Sequence, residues 1–292
     1  MVSPNDPELV RQQYATDANL RIRQSIHDTY TVPKANFAEW VIAALLWQGN
    51  ERVLDVGCGA GNYCEVLLQQ CPDIDYYGLD LSAGMLVNHP AAVRSSVGDA
   101  QQLPFPDGQF DVVMANHMLF YVQDIDAAIV EFRRVLKPHG ILLAATNSAY
   151  NMAELQVLLR RAILLLVRPG MSQVYPPTPA SAYFGLENGA RRLARHFFAV
   201  ARYDLPSKLV FTEIDPILAY LESTRPVQEP QLPEGVAWDD VMTIMGQQIM
   251  HLINHLGELV INKLAGVLVA SDDGGFIQEF VRACDNSAET SY

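Results

Sequence analysis

The chain has 292 residues, half of them apolar, and a formal charge of −13. Its length permits one large or two modest domains with a sizeable core, and its acidity argues against a nucleic-acid substrate, which would need clustered Lys and Arg. Met1–Leu20 is too polar for a secretory leader, and the most apolar run, Ala162–Val167, is far too short to span a bilayer.

In chain order, residues 8–46 read as helical, with Pro33 dividing two segments. The first carries Tyr14, Leu20, Arg23, His27 and Tyr30; the second, Phe37–Leu46, leads into a strand. That strand ends in Asp55, three glycines alternate at Gly57, Gly59 and Gly61, and a helical pattern follows at Asn62–Gln70. Glycines allow a tight turn and close approach of a ligand, and the first amides of a helix can receive an anion. A dinucleotide fingerprint wants a third glycine at the sixth position of this turn; Asn62 stands there, so that pattern fails.

A second strand, Tyr76–Asp80, ends in an acid 23 residues after Gly57. A carboxylate there can accept both hydroxyls of a ribose; alternatively Asp80 or Ser82 starts a helix at Ala83–Val87. Gly98-Asp99-Ala100 reads on its own as a turn. Asp111–Leu119 reads as a strand and its exit, which holds Asn116 and His117, and Glu131–Gly140 reads as a helix and turn into strand Ile141–Ala145.

Beyond this point the spacing predicts helix Asn151–Val167, a proline-rich loop Arg168–Pro179, helix Leu186–Phe198, and strand-like Val200–Leu205 and Leu209–Phe211. Helices Ile214–Ser223 and Asp239–Leu256 flank a linker, Arg225–Gly235, and Leu259–Ala270 closes the pattern as a long strand. Met242, Met245, Ile249, Leu252, Ile253 and Leu256 share one helix face, either core or the wall of an adaptable pocket. His251 and His255 have metal-ligand spacing, but Leu252 stands where a metalloprotease needs Glu, and no metal is expected. Cys58, Cys64, Cys71 and Cys284 show no Cys-x-x-Cys spacing and read as reduced thiols, consistent with a cytoplasmic protein. Residues 151–202 carry a local charge of +5, whereas 203–292 hold four basic and fourteen acidic residues. These are solvated faces, or the basic insertion attracts an anionic substrate or the acidic tail of a second subunit, which leaves a homodimer open.

Asp55-x-Gly57-x-Gly59-x-Gly61, the acid at Asp80, Asp99-Ala100 and the stretch through Glu131–Gly140 occur in an order that resembles the class I S-adenosylmethionine-dependent methyltransferases. The resemblance runs from Arg52 to about Asn147 and is to the type 11 small-molecule group, which includes ubiquinone and menaquinone methyltransferases. It implies an α/β, Rossmann-like, seven-stranded, mostly parallel sheet with helices on both faces and an antiparallel last strand. It also implies an N-terminal helical cap (1–47), a cofactor-binding core (48–147) and a remainder (148–292) with helical substrate-lid insertions at about 148–185 and 212–257. On this resemblance Asp55 and the amides of Gly57, Cys58 and Gly59 hold the amino-acid end of S-adenosylmethionine, with Gly61 completing the turn. Asp80 holds the ribose, Leu81 packs on the adenine, Asp99 and Ala100 read its edge, and Asn116 and Tyr14 lie alongside.

The reaction so implied is methyl transfer to a small lipophilic or aromatic acceptor, with oxygen favoured over carbon and nitrogen and S-adenosylhomocysteine as product. His117 is either a general base or a neighbour of the cofactor; Tyr121 stands where the family often has His, which leaves the substrate contact open. Rival readings are a non-catalytic cofactor-binding partner protein, an NAD-dependent oxidoreductase, and an aminopropyltransferase, which would need an acidic loop where this chain has Asn116-His117-Met118.

Overall fold

The apolar run before the glycines forms β2 (Arg52–Val56), buried at four of its five residues, as expected of a central parallel strand covered on both faces. In the computed structural model, which describes residues 5–167 and 177–273, β2 pairs in parallel with β3 (Asp75–Asp80) and β5 (Phe110–Met114). Short β4 (Ser95–Val97) extends the sheet beyond β3, and β6 (Leu136–Asn147) lies parallel to β5. The long strand β8 (Leu259–Ser271) inserts antiparallel between β6 and β7 (Ala199–Phe211). Two residues of β1 (Thr31–Val32) pair with β7 at Leu209 and Lys208, giving eight strands in the order β1-β7-β8-β6-β5-β2-β3-β4.

Successive residues of β2 face opposite sides of the sheet and enter different cores. Leu54 and Val56 pack with Val113, Leu142 and Phe132; Val53 packs with Val41, Ile42 and Leu67. The latter come from α3 (Phe37–Ile42) and α4 (Asn62–Gln70). On the other face, α6 (Ile125–Val135) buries Ile125, Ala128, Ile129, Phe132 and Val135, a helical stripe whose first turn is capped by Asp124 through the Ala127 amide at 2.9 Å. A third core gathers Ile26, Leu155, Ile163, Ile217, Met245 and Ile249 against Leu209 and Ile261. It joins α2 (Ala18–Tyr30), α7 (Ala153–Leu166), α9 (Asp215–Glu222) and α11 (Trp238–Leu256) to the far ends of β7 and β8. Much of the methionine-bearing face of α11 is therefore core.

Three local expectations change. The predicted helix Leu186–Phe198 shrinks to α8 (Gly189–Leu193), with Arg195 and His196 closing a tight turn on Arg192 and Leu193. The two predicted strands around Pro206 are one, because Pro206 lies where β1 does not reach and an edge tolerates a missing N–H. Of the loop Arg168–Pro179, residues 168–176 lie outside the described residues, as do Cys284 and much of the acidic tail. Cys58, Cys64 and Cys71 are free thiols.

Candidate active site

At the end of β2 the chain turns through Gly57, Gly59 and Gly61, all at positive φ (70°, 57° and 92°), and enters α4. A Cβ on Gly57 would lie 2.6 Å from Cβ of Met118, so this glycine lets the turn pack on the exit from β5. The amides of Gly57, Cys58 and Gly59, expected to hold the amino-acid end of the cofactor, are engaged within the chain. Those of Gly57 and Cys58 donate to the Leu79 carbonyl at 2.7 and 3.2 Å, and that of Gly59 donates to Asp80 Oδ2 at 2.9 Å. The turn is thus tied to the end of β3 by its own backbone.

Asp55 is buried, and the Tyr76 hydroxyl donates to its Oδ2 at 3.0 Å, while Oδ1 is buried with no partner. Burial, with the charge of Asp80 adding to it, pushes the Asp55 carboxyl up to about 7, against the lowering effect of the Tyr76 bond. Asn116 is its counterpart: Oδ1 accepts from the Ala145 amide at 3.1 Å and Nδ2 is buried and unpaired. Asp80 accepts the Gly59 amide on one oxygen and the Ser82 amide on the other at 2.8 Å, so it anchors the glycine turn and the exit from β3 together. Its burial raises its pKa, yet each carboxylate oxygen keeps a further lone pair for a hydroxyl. Leu81 is 37% exposed beside it. Ala100 is buried, whereas Asp99 is exposed with both oxygens near the Gln101 amide group.

Asp80, Leu81, Asp99 and Ala100 line one end of a cavity of about 810 Å³, with Asp55 buried behind its wall at Val56, and the cavity continues past Asn116 and His117 to β8, a size ordinary for a ligand site. Its roof is the connection between α1 (Pro7–Gln13) and α2. The Tyr14 carbonyl accepts from the Ser82 hydroxyl at 2.7 Å, and a Cβ on Gly84 would meet the Ala15 carbonyl oxygen at 2.0 Å. Gln13 Nε2 and Arg23 Nη1 both donate to the Ser223 carbonyl, at 3.1 and 2.9 Å, which joins the roof to α9.

The far end of the cavity holds the two catalytic candidates. The Tyr14 hydroxyl donates to that of Tyr121 at 3.0 Å, with the rings edge to face, and burial pushes the Tyr121 phenol up. His117 adopts a left-handed conformation (φ 54°) with its ring against Phe37 and Phe120. Burial, with the charge of Lys263 adding to it, lowers its pKa to about 4, so the imidazole is neutral at pH 7. The same causes lower His27 to about 3.

The sequence reading missed Lys263, which lines this end of the cavity. Its signal was a lone cation in the alternation Leu259, Ile261, Lys263, Ala265, Val267, otherwise the buried face of β8. The basic stretch 151–202 carries two readings, solvated faces or attraction of an anionic substrate. None of the arginines described there lines the cavity, and Arg192 and Arg202 pair instead with Asp126 and Asp204. His251 and His255 stack in parallel, and no group of three or more His, Cys, Asp or Glu among the described residues could hold a metal. No helix among the described residues is long and apolar enough to cross a membrane.

The site fits S-adenosylmethionine by its chemistry: a carboxylate with spare lone pairs, an unpaired buried amide nitrogen and an exposed leucine line the cavity, and Asp55, next in sequence to the lining residue Val56, keeps an unpaired buried carboxylate oxygen. Residues 54–144 match a family model described as a methyltransferase domain, type 11. The chain is 29% identical over 158 residues to a malonyl-[acyl-carrier protein] O-methyltransferase of Serratia marcescens, covering 53% of this chain and 60% of that one. It is 33% identical over 138 residues to a fatty-acid O-methyltransferase of Mycolicibacterium smegmatis, covering 42% and 50%. The matched stretches thus span little more than half of these relatives. The fold is that of a phosphoethanolamine N-methyltransferase of Haemonchus contortus, with TM-score 0.53, 15% identity and coverage of 93% of this chain and 60% of that one. Taken with the order of its motifs, residues 54–144 are a class I S-adenosylmethionine-dependent methyltransferase domain.

Proposed function

We propose that this protein transfers the methyl group of S-adenosylmethionine to an oxygen of a small lipophilic acceptor. The observation that carries the reading is the single cavity running from Asp80, Leu81 and Asn116 to the apolar side chains of Met152, Leu155 and Leu159. Both relatives above are O-methyltransferases by name, which favours oxygen.

When bound, the cofactor supplies an electrophilic methyl on a sulfonium. The chain's residues then have a positioning task, which accounts for much of the rate in such displacements. Asp55 and Asn116 would take the amino-acid end, Asp80 the ribose, and Leu81, Asp99 and Ala100 the adenine. The helices α1, α2 and α3, with α7 and α9, would enclose the acceptor and exclude water. His117, neutral at pH 7, and Tyr121 stand at the acceptor end; a hydroxyl acceptor would need its proton taken, for which His117 is the suited base. An acid acceptor would need none.

The test is calorimetric titration with S-adenosylhomocysteine, with NAD as control, followed by incubation with methyl-labelled S-adenosylmethionine and lipophilic acids and alcohols. Micromolar binding and base-labile labelled product from acids, or stable ether product from alcohols, are expected. Binding of NAD in place of S-adenosylhomocysteine would overturn the reading.

A further inference from the structure

The cavity holds a charge to which methyl transfer assigns no role. Lys263 is half-buried on β8, between the lid core at Ile261 and Ala265 on the cavity wall. Its Nζ donates to Thr31 Oγ1 at 3.0 Å, which leaves two of three ammonium donors for something else. No carboxylate among the described residues forms an ion pair with it; Asp28, the acid that most affects it, is exposed. A cation held away from water without a counter-charge is costly, and burial accordingly lowers its pKa to about 8.

Two neighbours on α2 line the same stretch of cavity. His27 keeps Nδ1 buried with no hydrogen-bond partner, and its neutral ring can present an N–H or a lone pair. Arg23 uses Nη1 on the Ser223 carbonyl and lies over the Tyr14 ring at 5.8 Å. The acids of the cavity other than Asp28, namely Asp80 and Asp99, stand at the cofactor end. A protein of charge −13 thus concentrates cations at the one place where an acceptor would sit, and low-dielectric walls strengthen such a field.

We propose that Lys263, flanked by Arg23 and His27, is the docking point for an anionic group of the acceptor, a carboxylate or a phosphate. This rests on the methyltransferase reading and narrows its acceptor class. It makes Lys263 a specificity-determining residue, with Thr31 fixing its ammonium and Met152, Leu155 and Leu159 receiving the apolar part.

The experiment uses the full chain saturated with S-adenosylhomocysteine, titrated with octanoate, octyl phosphate, octanol and octylamine. At least one of the two anions should bind tenfold or more tighter than octanol and octylamine, and their ranking separates carboxylate from phosphate. Lys263→Met should abolish that preference and Lys263→Arg should retain most of it, both without change in S-adenosylhomocysteine affinity. Equal binding of octanol and the anions, or a preference that survives Lys263→Met, would overturn the assignment. Failure to bind S-adenosylhomocysteine would defeat both readings; binding it without anion preference would defeat this one alone.

Discussion

Asp80 already serves the Gly59 amide and the Ser82 amide, and a ribose would add a third partner. Asp80→Ala should therefore weaken S-adenosylhomocysteine binding by about 1–3 kcal/mol, the usual cost of unpaired buried polar groups, read by calorimetry. Asp55 gives a pH signature. Its carboxyl is protonated up to about 7, whereas the ammonium of the cofactor's amino-acid end favours the ionised form. S-Adenosylhomocysteine affinity should rise from pH 5 to 7 and level off above, and Asp55→Asn should flatten that slope. A pH-independent affinity in the wild type would place the ammonium elsewhere. The glycines and these two acids were legible because each sits at a fixed offset from a strand end. The occupation of the turn's amides was not, since it depends on how β3 lies beside β2.

At the scale of elements, the parallel core was readable from apolar runs ending in Asp55, Asp80 and Asn116. The N-terminal segment was less so, because β1 has two residues and gains its partner only from β7, far along the chain. Packing of the cap on α5 (Ala83–Leu86) hangs on Gly84, whose Cβ would lie 2.0 Å from backbone at Ala15. Gly84→Ala should lift the α1–α2 connection, seen as faster amide exchange over Pro7–Tyr30 and severalfold weaker S-adenosylhomocysteine binding. The control is Gly246→Ala in α11, where the nearest atoms are 3.9 Å away. It should be neutral or stabilising by about 0.5–1 kcal/mol, as expected for removing a helical glycine.

For the molecule as a whole, His27 and His117 shape the response to acid. Both are held neutral in the fold, with pKa values of about 3 and 4, while an unfolded histidine titrates near 6.5. Between those values the unfolded chain binds more protons, so stability falls as pH drops from about 6.5 toward 4. Each histidine should contribute about 2 kcal/mol to that loss at pH 4.5. Asp55, protonated in the fold, opposes it with the reverse sign over about 4 to 7. Urea titrations at pH 7 and 4.5 should show the net fall, and His117→Asn should reduce it. A fall unchanged in that variant would mean His117 charges freely in the fold.

The sheet's long outer strand carries a last consequence. Among the described residues only β1 pairs with the outer side of β7, at two of its thirteen residues, so most of an extended backbone edge stands open to a foreign strand. At alternate positions along it come Arg202, Asp204, Pro206 and Lys208, all exposed: charges and a proline, the devices that deter edge-to-edge aggregation. Substitution of Arg202, Asp204 and Lys208, which do not line the cavity, by valine should leave the cavity unchanged and lower the concentration at which the protein precipitates.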